Sequence, residues 1–333
     1  MKMQALGITV LYPEVPALNR SENQGNILVL KRIGDFVYIS RQAMRYYLWN
    51  TLKTGFGWKE TKVTIEDRVV QFSIEEITEE LLSFGFMVAR KKSKTRKDQA
   101  ESDKESNQKG EQITRKAAVS MTDGEFLNRY LGEISFNTNH DLLKRPKDAN
   151  ADPKDANADP NPSPYQKEEH RGILRWSVVI DVNRLCKIED KWRGVLKQEQ
   201  IAQIEDDDNR DKFINKIVND ILTAIQEGII YHVGGKNEPL TPIATFVYKV
   251  SIPSPLLHNV VYANLEDGDK YVVNLDDVEK FASKNIYFGD YKQNLRVRLS
   301  DFKVVNKKSD PPIYTNNRIQ VKINSKDGVI EFV

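Results

Sequence analysis

The chain has 333 residues, 39% of them hydrophobic and 29% charged, with 50 Lys or Arg against 48 Asp or Glu. This is enough for one large domain or two small ones, and the near-cancelling charge excludes a histone-like polybasic tail while allowing a local basic surface. The single cysteine, Cys186, excludes an internal disulfide and argues against a cysteine-based zinc site.

Met1–Leu11 has one lysine and no long apolar block, unlike a secretory signal. No run approaches the ~18 apolar residues of a membrane span. A soluble, cytoplasmic protein with no membrane partner is expected. Met3–Leu11 and Phe36–Ile39 are rich enough in β-branched and aromatic residues for strands. Ser40 can cap a helix running to about Leu52, with Met44, Tyr47, Leu48, Thr51 and Leu52 on one face. Lys62–Ser73 alternates like a strand. Ser73 and Glu76 form a possible capping box for a short helix ending near Ser83.

Residues 90–116 hold ten Lys or Arg, five Asp or Glu and almost nothing apolar. Such a segment cannot offset its ordering entropy by burial, so a mobile charged insert is expected there. Residues 144–166 contain the heptad KDANADP twice in tandem, at 147–153 and 154–160. Two copies do not make a solenoid, and the Pro and Asp density predicts an exposed low-complexity loop. Both read as insertions in one core spanning 1–333. Further on, Ile173–Val182 reads as a strand. Arg210–Glu227 carries a helical stripe of Phe213, Ile214, Ile217, Val218, Ile221, Leu222 and Ile225, with Gly228 at the C-cap position. Ala244–Ile252, Asn259–Asn264, Asn294–Val305 and Ile319–Ile323 complete the predicted strands. This order predicts an α+β fold, an antiparallel sheet with helices on one face.

Familiar catalytic signatures are absent: there is no GxSxG, GxxxxGK[ST] or HExxH. His140, His170, His232 and His258 are far apart in sequence. Asp206–Asp208 precedes the long helix, where negative charge is favoured without any cation. No catalytic residue, metal or cofactor is expected. The informative stretch is 17–52. A polar loop with Asn19, Arg20, Ser21, Asn23 and Asn26 leads through an apolar stretch to Lys31 and Arg32, then to a short strand and the Ser40 helix. Arg41 and Arg45 are four apart and share a face opposite the apolar stripe, flanked by Gln42 and Tyr46. Two arginines beside the free N–H groups of a helix start suit a run of phosphates. A solvated helix face explains the same arginines.

These residues resemble the N-terminal signature of the CRISPR-associated Cascade backbone subunits, the Cas-seven superfamily, and most of all its DevR-like, type I-B-like branch. There an NR-containing loop, a Lys-containing segment and a [S/G]xQxxxR helix follow one another. Asn19-Arg20, Lys31-Arg32 and Ser40-Arg41-Gln42-Ala43-Met44-Arg45 appear here in that order. Arg41 departs from the pattern, standing where a small residue is usual. Glu79–Met87 (EELLSFGFM) resembles an acidic-x-x-FGxM element, and Thr114–Phe126 resembles the segment that returns to the core. Trp176–Leu185, the long helix and Ile229–Val250 continue the likeness.

The resemblance implies an RRM-like, ferredoxin-like core elaborated by long insertions and a thumb hairpin, with 229–250 the candidate thumb. It implies a type I effector subunit, without catalysis of its own, that polymerises head to tail along a CRISPR guide RNA and presents it for pairing with target DNA. Its partners would be that RNA, the target DNA, copies of itself and other Cascade subunits. The implied RNA-binding residues are Asn19, Arg20, Ser21, Asn23, Lys31, Arg32, Ser40, Arg41, Gln42, Arg45, Gly234, Gly235 and Lys236. Gly234 and Gly235 fit a loop with N–H groups aimed at an anion, and fit an ordinary hairpin turn equally. Two alternatives stand beside this reading. One is a type III-like subunit cleaving target RNA, although the loop Ala17–Lys31 has no Asp and Asp35 is the nearest. The other is an RRM-like RNA-binding protein outside CRISPR.

Overall fold

The computed structural model describes residues 2–24, 27–66, 68–90, 111–138, 165–185, 187–233, 236–266, 270–300, 304–305 and 318–333. Most of the two expected inserts, Cys186, His140, Gly234 and Gly235 lie outside the described residues.

The first strand dictates the architecture. β1 (Ala5–Pro16) is buried along nearly its whole length instead of alternating. A strand without an exposed face needs cover on both sides of its sheet. It pairs antiparallel with β6 (Arg171–Asp181) and β7 (Ala244–Val250). The eight-stranded sheet is completed by β2 (Arg32–Ile33), β3 (Phe36–Ile39), β4 (Val119–Met121), β5 (Gly124–Phe126) and β8 (Leu295–Leu299). Its order is β8-β7-β1-β6-β5-β3-β2, with β4 also pairing β6.

One face holds Leu6, Ile8 and Val10, packed with Met44 and Leu48 of α1 (Arg41–Phe56) and Ile217 and Ile221 of α3 (Asp207–Glu227). The other holds Leu11, Val179 and Phe246, packed with Leu257 and Phe288 and with Val278 and Ala282 of α4 (Leu275–Lys284). The expectation of helices on one face therefore describes half of the sheet. The second face is closed by residues 251–294, a stretch whose helix the sequence reading passed over.

Most predicted elements appear with shifted ends. The α1 stripe Met44, Tyr47, Leu48, Thr51 and Leu52 is buried as predicted. Asp206 caps α3, accepting from Asn209 N at 2.9 Å. The 62–73 stretch is not one strand but a hairpin, Val63–Glu66 with Val69–Phe72, in which Arg68 adopts φ 67. The expected Ser73/Glu76 box does not form. Ser73 N instead bonds to Lys62 O and extends the hairpin's pairing. The true cap is Thr78, whose hydroxyl accepts from Leu81 N at 3.2 Å and opens α2 (Glu79–Phe84). Gly85 follows at φ 66, where a Cβ would lie 2.3 Å from Arg115 O, so only glycine fits.

The C-terminal strand Val321–Asn324 docks on α3 through amides. Asn219 donates to Val321 O at 2.8 Å and accepts from its N at 3.0 Å. Asn215 treats Ile323 the same way, at 2.8 and 2.6 Å. Four helix residues rise about 6 Å and two strand residues about 6.7 Å, which is why asparagines one turn apart reach alternate strand residues.

Gly7 lies opposite Tyr248 in the β1–β7 register, and a Cβ there would sit 2.1 Å from the ring's Cε2. Gly7→Ala should therefore cost about 1–3 kcal/mol, the usual range for overpacking a core. A urea melt checks this; an unchanged midpoint would show that Tyr248 is free to swing aside.

Candidate nucleic-acid interface

The start of α1 is held by side chains from two other segments. Asn19 Oδ1 accepts from Ser40 N at 2.9 Å. Asp123 Oδ1 accepts from Arg41 N at 2.6 Å. The Ser40 hydroxyl makes no capping bond, contrary to the sequence expectation. Its role passes to Asp123, which places a carboxylate at the positive end of the helix. A helix leaves its first N–H groups without internal partners. Those of Gln42 and Ala43 remain without an acceptor among the described residues.

An open groove of about 920 Å³ lies at this helix start. Lys31, Tyr38, Ser40, Arg41 and Gln42 line one side. Thr122, Asp123 and Glu125 lie between, and Ser254–Leu256, His258 and Asn259 form the far wall. Arg41 and Gln42 are exposed and Lys31 is half-buried. Of the two carboxylates, Glu125 is paired with Arg175, which does not line the groove, while Asp123 keeps its negative charge as it bonds the helix start. Asp123 holds the helix N–H, and Glu125 accepts from Arg175 at 2.7 Å with His258 Nε2 at 3.2 Å.

Beneath the groove a polar line crosses the second face of the sheet. His258 Nδ1 lies 3.0 Å from Ser177 Oγ, which lies 2.8 Å from Thr9 Oγ1. Ser177 and Thr9 are wholly buried, so this is a structural connection and not an accessible nucleophile. His258, with the bond to Arg175 added, lowers the Glu125 carboxyl from 4.5 to about 2.

The remaining predicted residues separate from this groove. Arg45 is half-buried, its guanidinium stacked 4.9 Å over the Phe84 ring. Burial lowers its pKa, opposed by Glu80. Arg32 is exposed but already engaged by the chain: it donates to Glu168 Oε1 at 3.1 Å and lies 4.6 Å over Tyr130. Arg20 and Lys236 border a second, smaller cavity. Ser21 is exposed, and Asn23 sits in the strand Arg20–Gln24 opposite Leu28. In the candidate thumb region, Ile229–Val233 and Lys236–Leu240 form a hairpin, while Ala244–Val250 is β7 of the central sheet. The hairpin base is fixed by Tyr231, whose hydroxyl donates to Pro16 O at 2.8 Å and accepts from Leu18 N at 2.9 Å.

Sequence reasoning missed the far wall, 254–259, and the role of Thr122–Glu125. The only signal was the acidic pair flanking Gly124 in TDGEF; nothing local marked Ser254–Asn259.

The fold and groove define a class: an α+β protein whose antiparallel sheet carries a helix start, two cations and amide groups into one open cleft. The family model described as CRISPR-associated negative auto-regulator DevR/Csa2 matches residues 8–272, and the chain belongs to that family. No curated protein matches it. Among solved structures, a chain of a "CRISPR RNA-guided surveillance complex, pre-nicking" is similar at a TM-score of 0.51 and 11% identity, over 93% of this chain and 95% of that one. A chain of another "CRISPR RNA-guided surveillance complex" gives 0.47 and 11%, over 94% and 95%. At this identity the first likeness shows the fold.

The depressed Glu125 carboxyl has a signed consequence. A pKa below the unfolded value adds stability that is present above pH 4.5 and is lost as pH falls toward 2. Glu125→Gln should be less stable than wild type at neutral pH, and the difference should shrink between pH 4.5 and 2. Thermal melts across that range check it; a constant difference would mean the carboxylate is not held by His258 and Arg175.

Proposed function

We propose that the protein is a guide-RNA-binding backbone subunit of a type I CRISPR effector, with the groove at the start of α1 holding the RNA backbone. The observation that carries this reading is the convergence of Lys31, Ser40, Arg41 and Gln42 on one open groove, beside two N–H groups that have no acceptor among the described residues. Membership of the DevR/Csa2 family and the fold shared with a surveillance-complex chain support it. Charged side chains and helix-start amides recognise phosphates without reading bases. Sequence is then left to base pairing between the guide and its target DNA, a division of labour that guided effectors use.

In this reading copies of the chain line up head to tail along one guide, beside other subunits of a cytoplasmic Cascade. The role is structural. Asp123, one of two carboxylates lining the groove, accepts from the Arg41 N–H, and this structural use supports the reading.

Purification from cells that carry guide RNA should yield nuclease-resistant RNA of uniform length with the protein. RNA of random length, or none, would contradict the proposal. Asp123→Asn keeps an acceptor for Arg41 N and removes a charge from the groove. It should tighten binding of single-stranded RNA a few-fold, on the order of the 0.5–1 kcal/mol that an exposed charge interaction is worth. Filter binding measures this. Mg²⁺-dependent cleavage of complementary RNA by wild type, lost in the variant, would instead make Asp123 catalytic.

A further inference from the structure

A negative charge stands in the groove where phosphates are proposed to bind. Asp123 shares that groove with Lys31 and Arg41, and it makes no ion pair among the described residues. Holding the helix start does not require the charge. Asn19 satisfies the neighbouring Ser40 N with a neutral amide oxygen at 2.9 Å, and neutral oxygens cap helices as well as carboxylates do. The positive helix end favours the charge only modestly. Glu125, the other carboxylate, gives its Oε2 to Arg175 at 2.7 Å and to His258 at 3.2 Å. Asp123 spends Oδ1 on Arg41 N at 2.6 Å, and its Oδ2 has no hydrogen-bond partner among the described residues. The segment that carries it is held firmly. Thr122 N donates to Ser177 O at 3.0 Å, Thr122 Oγ1 accepts from Ser177 N at 3.1 Å, and Trp176 Nε1 donates to Thr122 O at 3.2 Å. With Oδ1 fixed on α1, Oδ2 is a positioned acceptor on the groove. Such an acceptor repels a phosphate and attracts a donor.

We infer that Asp123 selects ribose over deoxyribose, its free Oδ2 accepting the 2′-hydroxyl of the nucleotide whose phosphate meets Arg41 and the α1 amides. The inference rests on the proposed function. The 2′-hydroxyl is the donor that an RNA backbone carries and a DNA backbone lacks. It lies on the sugar, beside the phosphate, so phosphate-binding groups bring it to the carboxylate without any base being touched. Base amino groups are donors too, but contacts to them would make binding depend on sequence. With the hydroxyl present, a hydrogen bond to a charged acceptor offsets the repulsion of the phosphate. Without it, the repulsion remains and the acceptor is left unpaired. A site built to bond a hydroxyl rejects the analogue that lacks one. For a subunit that works with a guide RNA and a target DNA together, this keeps the DNA strand out of the guide's groove.

The test compares three single strands of one sequence: RNA, DNA, and 2′-fluoro RNA, which keeps a ribose-like pucker but has no 2′ donor. Affinities are measured in EDTA, so that no divalent cation bridges Asp123 and a phosphate. Wild type should bind RNA about tenfold more tightly than either analogue, the lower end of what a hydrogen bond to a charged group is worth. Asp123→Asn keeps the acceptor for Arg41 N and turns an amide N–H toward the hydroxyl oxygen. RNA should then gain a few-fold from the lost charge, the analogues should gain more, and the preference should fall to about twofold. Arg41→Ala, which loses a phosphate contact, should weaken all three strands alike. Circular dichroism and a melt establish that each variant folds, and the wild-type comparison needs no variant. Wild type that binds RNA and the analogues equally overturns the inference and leaves the proposed function standing. An RNA preference that Asp123→Asn leaves unchanged also overturns it, since another group then reads the hydroxyl. Wild type that binds none of the three refutes the proposed function, and this inference falls with it.

Discussion

Two hydrogen bonds to the first turn of α1 fix the geometry on which the groove depends. Asn19, at the end of the chain leaving β1, holds Ser40 N; Asp123, between β4 and β5, holds Arg41 N. The helix is thereby tied at its start to the segment leaving β1 and to the β4–β5 connection. The buried stripe from Met44 to Leu52 fixes its rotation. With axis and rotation set, the backbone of Arg41 and Gln42 is held at the groove's edge. A side chain satisfying an N–H also competes with any anion that would bind there. The fold has taken two of the first amides for itself and left the next two.

The opposite wall depends on the second face of the sheet. Residues 254–259 lie against it because Leu257 is buried among Phe246, Phe288 and Val261. His258 is then directed inward to Ser177 and toward Glu125. Packing and polar contacts serve one end here. The apolar residue anchors the loop, and the histidine fixes it in register with β5 and β6. Glu125 stays ionised in a partly buried place because Arg175 and His258 are beside it.

Local signals were legible in the sequence, and distant convergence was not. The helical stripes at 44–52 and 214–225 come from the 3.6-residue period and survive intact. The Ser73 box failed because Ser73 was needed for strand pairing with Lys62, a tertiary demand that overrides a capping motif. Arg45 has the right spacing to share a face with Arg41, yet Phe84 from a separate helix covers it. Arg32 has the right charge, yet Glu168, 136 residues away, claims it. Of the residues named from the family pattern, Lys31, Ser40, Arg41 and Gln42 meet at the groove, and Arg20 and Lys236 meet elsewhere. Spacing gives a helix face, but only folding decides what that face meets. The α4 stripe of Leu275, Val278 and Ala282 was present in the sequence and passed over, since ten residues give a short pattern.

The central claim is that the groove grips the backbone of a single RNA strand and ignores its bases. Chemical neutralisation of that backbone tests it most directly. Affinity should be compared for oligonucleotides of unrelated sequence, each with natural phosphodiester linkages and with uncharged methylphosphonate linkages. Groove binding through Lys31, Arg41 and the α1 amides requires similar affinity for all sequences with natural linkages, and loss of binding with methylphosphonates. Affinity that follows base sequence and survives neutral linkages would contradict it.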